Sequence, residues 1–122
     1  KKSKATHLLY SVPMFSFSAF IEVIFEEVFP RQLGGAHTHL FTEDSIKKMH
    51  EILGVNSISE WRFGTDFMDL YRSINTMLLK KKTSESMQEF LNKGFFSEID
   101  NFQSVLDEKH FCSEIHCLVS KK

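Results

Sequence analysis

A chain of 122 residues with 42% hydrophobic residues has the size of one domain. At that length folding buries roughly two-thirds of the surface the unfolded form exposes, so no disulfide is needed to hold it. The formal charge of −1 and pI near 6.7 exclude a global basic field toward nucleic acid or acidic membrane, and leave any polyanion site local.

The apolar run from Phe15 to Phe29 is broken by Ser16, Ser18, Glu22, Glu26 and Glu27. It is shorter than the roughly 20 residues that span a bilayer, so no membrane segment is expected. The basic start Lys1-Lys2-Ser3-Lys4 is followed by no small-residue cleavage site, and no secretory signal is expected either. The missing initiator Met and the abrupt Lys121-Lys122 end suggest a fragment of a larger protein, and its two cysteines, read as reduced thiols, lead to the expectation of an intracellular, cytoplasmic setting. Cys112 and Cys117 are an odd number of residues apart in one strand-like run. They point to opposite faces and stay reduced. The 13 Phe residues, with few Ala and Pro, match the composition of AT-rich genomes, many viral ones among them.

In chain order, Lys4 to Val12 reads as a strand, ended by Pro13. The next segment has two readings. As a helix over 16–29, Phe17, Phe20, Ile21, Ile24, Phe25 and Val28 form a stripe; as a strand, Phe15, Phe17, Ala19, Ile21, Val23 and Phe25 share a face. Its length and its acidic Glu22, Glu26 and Glu27 favour the helix. A loop from Pro30 to Gly35 leads to a short strand, Ala36 to Phe41, with His37, His39 and Phe41 on one side.

Thr42 caps a helix whose first turn carries Glu43 and Asp44, whose stripe is Ile46, Met49 and Leu53, and which Gly54 stops. Ser57-Ile58-Ser59-Glu60 has capping-box spacing, which predicts a helix that breaks at Gly64 and resumes to about Lys80. Phe67, Leu70, Tyr71, Ile74, Met77 and Leu78 make it the central helix. Met87, Phe90 and Leu91 mark a short helix closed by Gly94, and Ser97 opens the last, with Ile99, Phe102 and Leu106 inward.

The run from His110 to Val119 alternates as a strand. Phe111, Ser113, Ile115, Cys117 and Val119 take the core face, and His110, Cys112, Glu114, His116 and Leu118 the outer one. The whole is α+β: an α-rich single domain, residues 1–122, with a small sheet formed by N- and C-terminal strands packed on a long central helix.

Candidate chemistry is sparse. His110 and Cys112 share a strand face, as do His37 and His39, so adjacency of the two strands would assemble a tetrahedral Cys/His zinc site. No C-x₂-C or H-E-x-x-H spacing is present, and the five glycines build neither a P-loop nor a dinucleotide fingerprint. No small-molecule cofactor is evident. Carboxylate pairs such as Asp66/Asp69 lie where a solvated helix face puts them. Trp61, beside Arg62 and Phe63, is a candidate for stacking an RNA base while Lys80, Lys81 and Lys82 hold phosphates.

The Phe15-Ser16-Phe17-Ser18-Ala19-Phe20 run, the long helix from Phe67 to Leu78 and the aromatic content resemble cap-binding domains of segmented negative-strand RNA virus polymerases. That resemblance implies a methylated guanine held between two aromatic rings, with an acidic residue reading its edge. It requires the strand reading of residues 15–25, and it assigns no role to a particular residue.

The leading expectation is a non-catalytic binding or assembly domain, whose aromatic surface meets a protein partner or another domain of the parent protein. The alternatives are an RNA-binding accessory domain of a viral polymerase and a small domain with a structural zinc site.

Overall fold

The computed structural model describes residues 4–34 and 37–122. Three strands, β1 (His7–Pro13), β2 (Val55–Phe63) and β3 (Glu114–Lys121), form an antiparallel sheet in the order β1-β3-β2. Around it lie α1 (Phe17–Ile24), α2 (Glu43–Leu53), α3 (Asp66–Lys80), α4 (Glu85–Gly94) and α5 (Ile99–Glu108), with a 3₁₀ turn at Phe96–Glu98. The α-rich α+β class expected from the sequence is the one observed, and the terminal strands pair as foreseen.

The last strand is the middle one. Its period-two pattern is the reason: Ile115, Cys117 and Val119 are fully buried, as a central strand with one covered face demands. Across β3, Tyr10 and Glu60 flank Cys117, while Ser11 and Trp61 flank His116. The covered face packs with Met14 and with Ile46 and Met49 of α2. Thr42 caps α2 as expected: its Oγ1 accepts from the Ser45 amide at 3.3 Å, and Ser45 Oγ accepts from the Thr42 amide at 2.8 Å. Gly54 ends the helix in the left-handed region at φ 64°, which glycine adopts without a Cβ clash.

Residues 55–63 are a strand, not the helix that the capping-box spacing predicted. The Ser57 hydroxyl does reach Glu60 Oε1, at 3.2 Å, but it does so along a bulged strand. Ile58 is the extra residue. It interrupts the alternation, and with polar Ser57, Ser59 and Glu60 around it the period-two signal is lost from the sequence. Pairing with β3 and the β-favouring Val55, Trp61 and Phe63 override the local cap signal.

Helix is the observed state for the ambiguous segment, but α1 is shorter than 16–29, ending at Ile24 with Phe25 as its C-cap. The expected strand from Ala36 to Phe41 is absent beyond one parallel bridge between Phe41 and Met14; Gly35 and Ala36, like Lys1 and Lys2, lie outside the described residues. The strand expected from His110 starts at Glu114, because His110 adopts φ 57° in the turn that leaves α5.

The helices α1, α3, α4 and α5 join the sheet at one end, where β1 runs into α1, β2 into α3 and α5 into β3. A polar knot fills that junction. Asp66, fully buried at the first turn of α3, accepts from Ser16 Oγ (2.7 Å), Ser18 N (2.8 Å) and Ser18 Oγ (2.8 Å) on one oxygen. Its other oxygen accepts from Ser113 N (3.1 Å) and Gln103 Nε2 (3.2 Å). Asp69 pairs with Arg31 at 2.9 Å, and Glu22 accepts three consecutive backbone amides, Arg31 to Leu33. The Asp66/Asp69 pair is thus interior, not on the solvated face expected of it.

Candidate functional site

Among the described residues several apolar surfaces stay uncovered, and two of them gather aromatic rings. The first is the sheet face opposite α2, where Leu9 is 70% and Trp61 65% exposed. Strand alternation puts Trp61 and Phe63 on this face, and the register brings them to His116. Their centroids lie 5.0 Å (Trp61–Phe63), 5.6 Å (Trp61–His116) and 4.9 Å (Phe63–His116) apart. The cluster is aromatic on top and acidic at its edge, with Glu114 Oε2 3.8 Å from His116 Nε2.

Arg62 points the other way. Its guanidinium is nearly buried and forks onto Glu43, with a third bond to Glu60 at 3.1 Å. Burial alone disfavours its charge, but these two carboxylates outweigh that and hold it firmly protonated. It is committed to joining β2 to α2. Of the lysines foreseen as phosphate contacts, Lys80 bonds Glu27 at 3.0 Å, and Lys81 and Lys82 follow at the far end of α3. A helix of 15 residues is about 22 Å long, so these lysines stand a helix length from the Phe63 end of the sheet. The sequence-predicted RNA residues therefore divide into Trp61 and Phe63 together, Arg62 turned away and the lysines remote.

The four foreseen metal ligands are not brought together. Strand β3 lies between β1 and β2, and His37 and His39 occupy an irregular segment that is not beside it. Cys112 is buried, with its Sγ 3.6 Å from the Glu114 carbonyl oxygen, and not on the outer face expected of it. Among the described residues no group of three or more His, Cys, Asp or Glu side chains converges as a metal-binding set. Burial, followed by the charge of Asp107, pushes the Cys112 thiol up to about 11, and burial raises Cys117 as well, so both are poor nucleophiles.

The second field lies on the helices and was not foreseen. α4 buries no residue. Its Met87 and Phe90 are 54% and 81% exposed and, with Leu91 and Gly94, wall an apolar groove of about 510 Å³ completed by Ile74, Leu78, Phe95 and Phe102. The i, i+3, i+4, i+7 spacing of Met87, Phe90, Leu91 and Gly94 was legible as a helix stripe. Sequence gave no sign that the stripe would stay open.

A scan of protein-family models, a search of curated proteins and a search of solved structures each find no match to this chain. Among the described residues no helix is long and apolar enough to cross a membrane. The cap-binding resemblance loses a premise, because residues 17–24 are helical. Trp61 and Phe63 lean on each other at 38° and 5.0 Å, too close to admit a base between them.

Proposed function

We propose that this chain is a non-catalytic binding or assembly domain that completes its surface against a protein partner. One observation carries the reading: the chain exposes 8416 Å². A folded monomer of 14.2 kDa exposes about 6,800 Å² by the usual size scaling, an excess of about 1,600 Å² here. A standard interface removes about 800 Å² from each partner, so the excess is of interface size. Exposed large apolar side chains contribute to it, among them Trp61 at 65% and Phe90 at 81%.

The test is binding of an apolar-surface dye to the native, cooperatively melting chain. Bright dye binding before any unfolding is expected. A native chain that leaves the dye dark and sediments as a compact monomer would overturn the reading.

A second reading, RNA binding, is favoured by the open sheet face itself, because aromatic rings on such a face stack unpaired bases. Trp61 is the sole tryptophan, so its fluorescence reports directly on this face. Salt-sensitive quenching by single-stranded RNA, or quenching by cap analogue, supports this reading. A flat titration with both removes it.

A further inference from the structure

We infer that the sheet face around Trp61 docks an arginine side chain of the protein partner, the guanidinium lying flat on the exposed indole and forking onto the Glu114 carboxylate. The inference rests on the assembly reading above and names the chemistry of the contact.

The register builds the site. Antiparallel pairing sets Trp61 opposite His116 and Phe63 opposite Glu114, and strand alternation raises all four side chains from one face. Glu114 is therefore diagonal to Trp61, a separation of about 7–8 Å on such a ladder that one long side chain bridges. Trp61 and Phe63 are tilted by only 38° at 5.0 Å, so together they make a platform rather than a slot. His116 braces it edge-on, at 75° to Trp61 and 77° to Phe63.

Charge selects the occupant. Within the three strands this face carries no lysine or arginine, because Arg62 alternates to the other side, where Glu43 and Glu60 hold it. Glu114 is the carboxylate that remains. Its side chain is 39% exposed, and among the described residues it pairs with no lysine or arginine, only with His116 at 3.8 Å. Negative ring faces with an acid at their rim attract a cation and repel phosphate.

Shape then selects among cations. An ammonium group is held best by rings that surround it, whereas Trp61 offers an open plane. A guanidinium is itself planar and weakly hydrated, and when stacked it keeps its N–H fork free for a carboxylate. A flat aromatic platform beside one acid thus fits arginine better than lysine. Leu9, exposed on the far strand β1, leaves apolar surface for the residues that flank the arginine. Tryptophan and arginine are also the side chains that most often dominate the energy of a protein contact.

The experiment is an amide NMR titration of the full chain at pH 8, where an ordinary imidazole is uncharged. The probes are N-acetyl-arginine amide, N-acetyl-lysine amide and N-acetyl-citrulline amide, the last keeping the shape of arginine without its charge. Trp61 is the sole tryptophan, so its indole N–H is a single reporter. Saturable shifts there and at Phe63, Glu114 and His116 are expected with arginine, binding about threefold weaker or more with lysine, and none with citrulline. Glu114→Gln is expected to weaken arginine about tenfold, and Trp61→Ala to abolish the shifts at His116. Both side chains are exposed enough to be replaced with the fold intact, which the dispersion of the same spectra checks.

An equal response to arginine and citrulline, equal binding of arginine and lysine, or unchanged binding in Glu114→Gln overturns the inference. Shifts with single-stranded oligouridylate and none with arginine overturn it too, and give the face to RNA. A chain that ignores arginine but still lights the apolar dye keeps the assembly reading with an uncharged contact; one that leaves the dye dark as well ends both.

Discussion

Ser18 and Asp66 stand 48 residues apart in the chain and are joined twice, the Ser18 amide and hydroxyl both donating to one carboxylate oxygen of Asp66 at 2.8 Å. With Ser16, Gln103 and Ser113 on the same side chain, Asp66 ties together segments far apart in the sequence at one point. A buried carboxylate is tolerated because every direction around it offers a donor.

Asp66→Ala leaves those donors without a partner in the interior. Loss of a buried, multiply bonded charge costs about 3–5 kcal/mol, enough to unfold many domains of this size. Asp66→Asn keeps the volume but turns an amide donor toward other donors, and is expected to lose less than the alanine variant yet well over 1 kcal/mol. Urea unfolding measures both; an Asn variant as stable as the parent would show the knot to be energetically idle.

Gly64 sits against the same knot. A Cβ placed there meets the Asp66 carboxylate, the Gln103 amide and, at 2.8 Å, the Ser113 backbone nitrogen. The backbone on one side leaves no room to yield, so Gly64→Ala is expected to cost about 2 kcal/mol or more by overpacking. Gly54→Ala, with open space around it, suffers only from its left-handed φ and is expected to lose about 1 kcal/mol. Thermal melting of the two variants side by side checks the order; equal losses would mean that the close contacts relax freely.

Arg62 and Glu43 couple β2 to α2 through a forked ion pair. Glu43 is 43% exposed, so solvent screens the pair and a coupling of about 1 kcal/mol is expected. A double-mutant cycle with Arg62→Ala and Glu43→Ala reads it directly. Additive single losses would leave the pair with no role beyond packing of the Arg62 stem.

Alkaline pH should weaken the fold. Cys112 is held up to about 11 by burial and by Asp107, and burial raises Tyr10 and Cys117 in the same direction, with the Cys117 thiol adding to the rise of Tyr10. An acid whose pKa is higher folded than unfolded contributes stability that is complete below its unfolded pKa, near 8.5 for a thiol, and lost as pH climbs through the folded value. Stability is therefore expected to decline between about pH 9 and pH 11, Cys112 alone accounting for about 2 kcal/mol. Urea midpoints across that range, for the parent and Cys112→Ala, test this; the variant should fall less steeply, and parallel curves would discount the thiol.

How much of this was written locally explains what could be foreseen. The α2 caps at Thr42 and Gly54 and the alternation of β3 are short-range patterns, and both read through to the structure. The Asp66 knot is not short-range. Its donors come from 16–18, 103 and 113, and nothing near Asp66 distinguishes it from a carboxylate on a wet helix face. Strand β2 was hidden differently: its bulge at Ile58 broke the alternation, and Ser57 and Glu60 carry a helix-start spacing that the strand also satisfies. Trp61 was a candidate because it is the sole tryptophan, next to Arg62 and before Gly64, but its companion His116 belongs to a strand some fifty residues on, and only the register brings them together.

The order β1-β3-β2 also sets a timetable. As the chain is made from its amino end, β1 and β2 emerge with no strand to bind, since the one that lies between them is the last to be completed. Neither outer strand has another partner within the sheet, and Ser113, which feeds the Asp66 knot, arrives only at that same late moment. Assembly of the sheet therefore waits on β3, residues 114–121, a long-range closure of the kind that folds slowly. Until then the nascent protein displays two bare strand edges and an unfilled core, and its vulnerability to mispairing is concentrated in the interval just before synthesis of β3 ends.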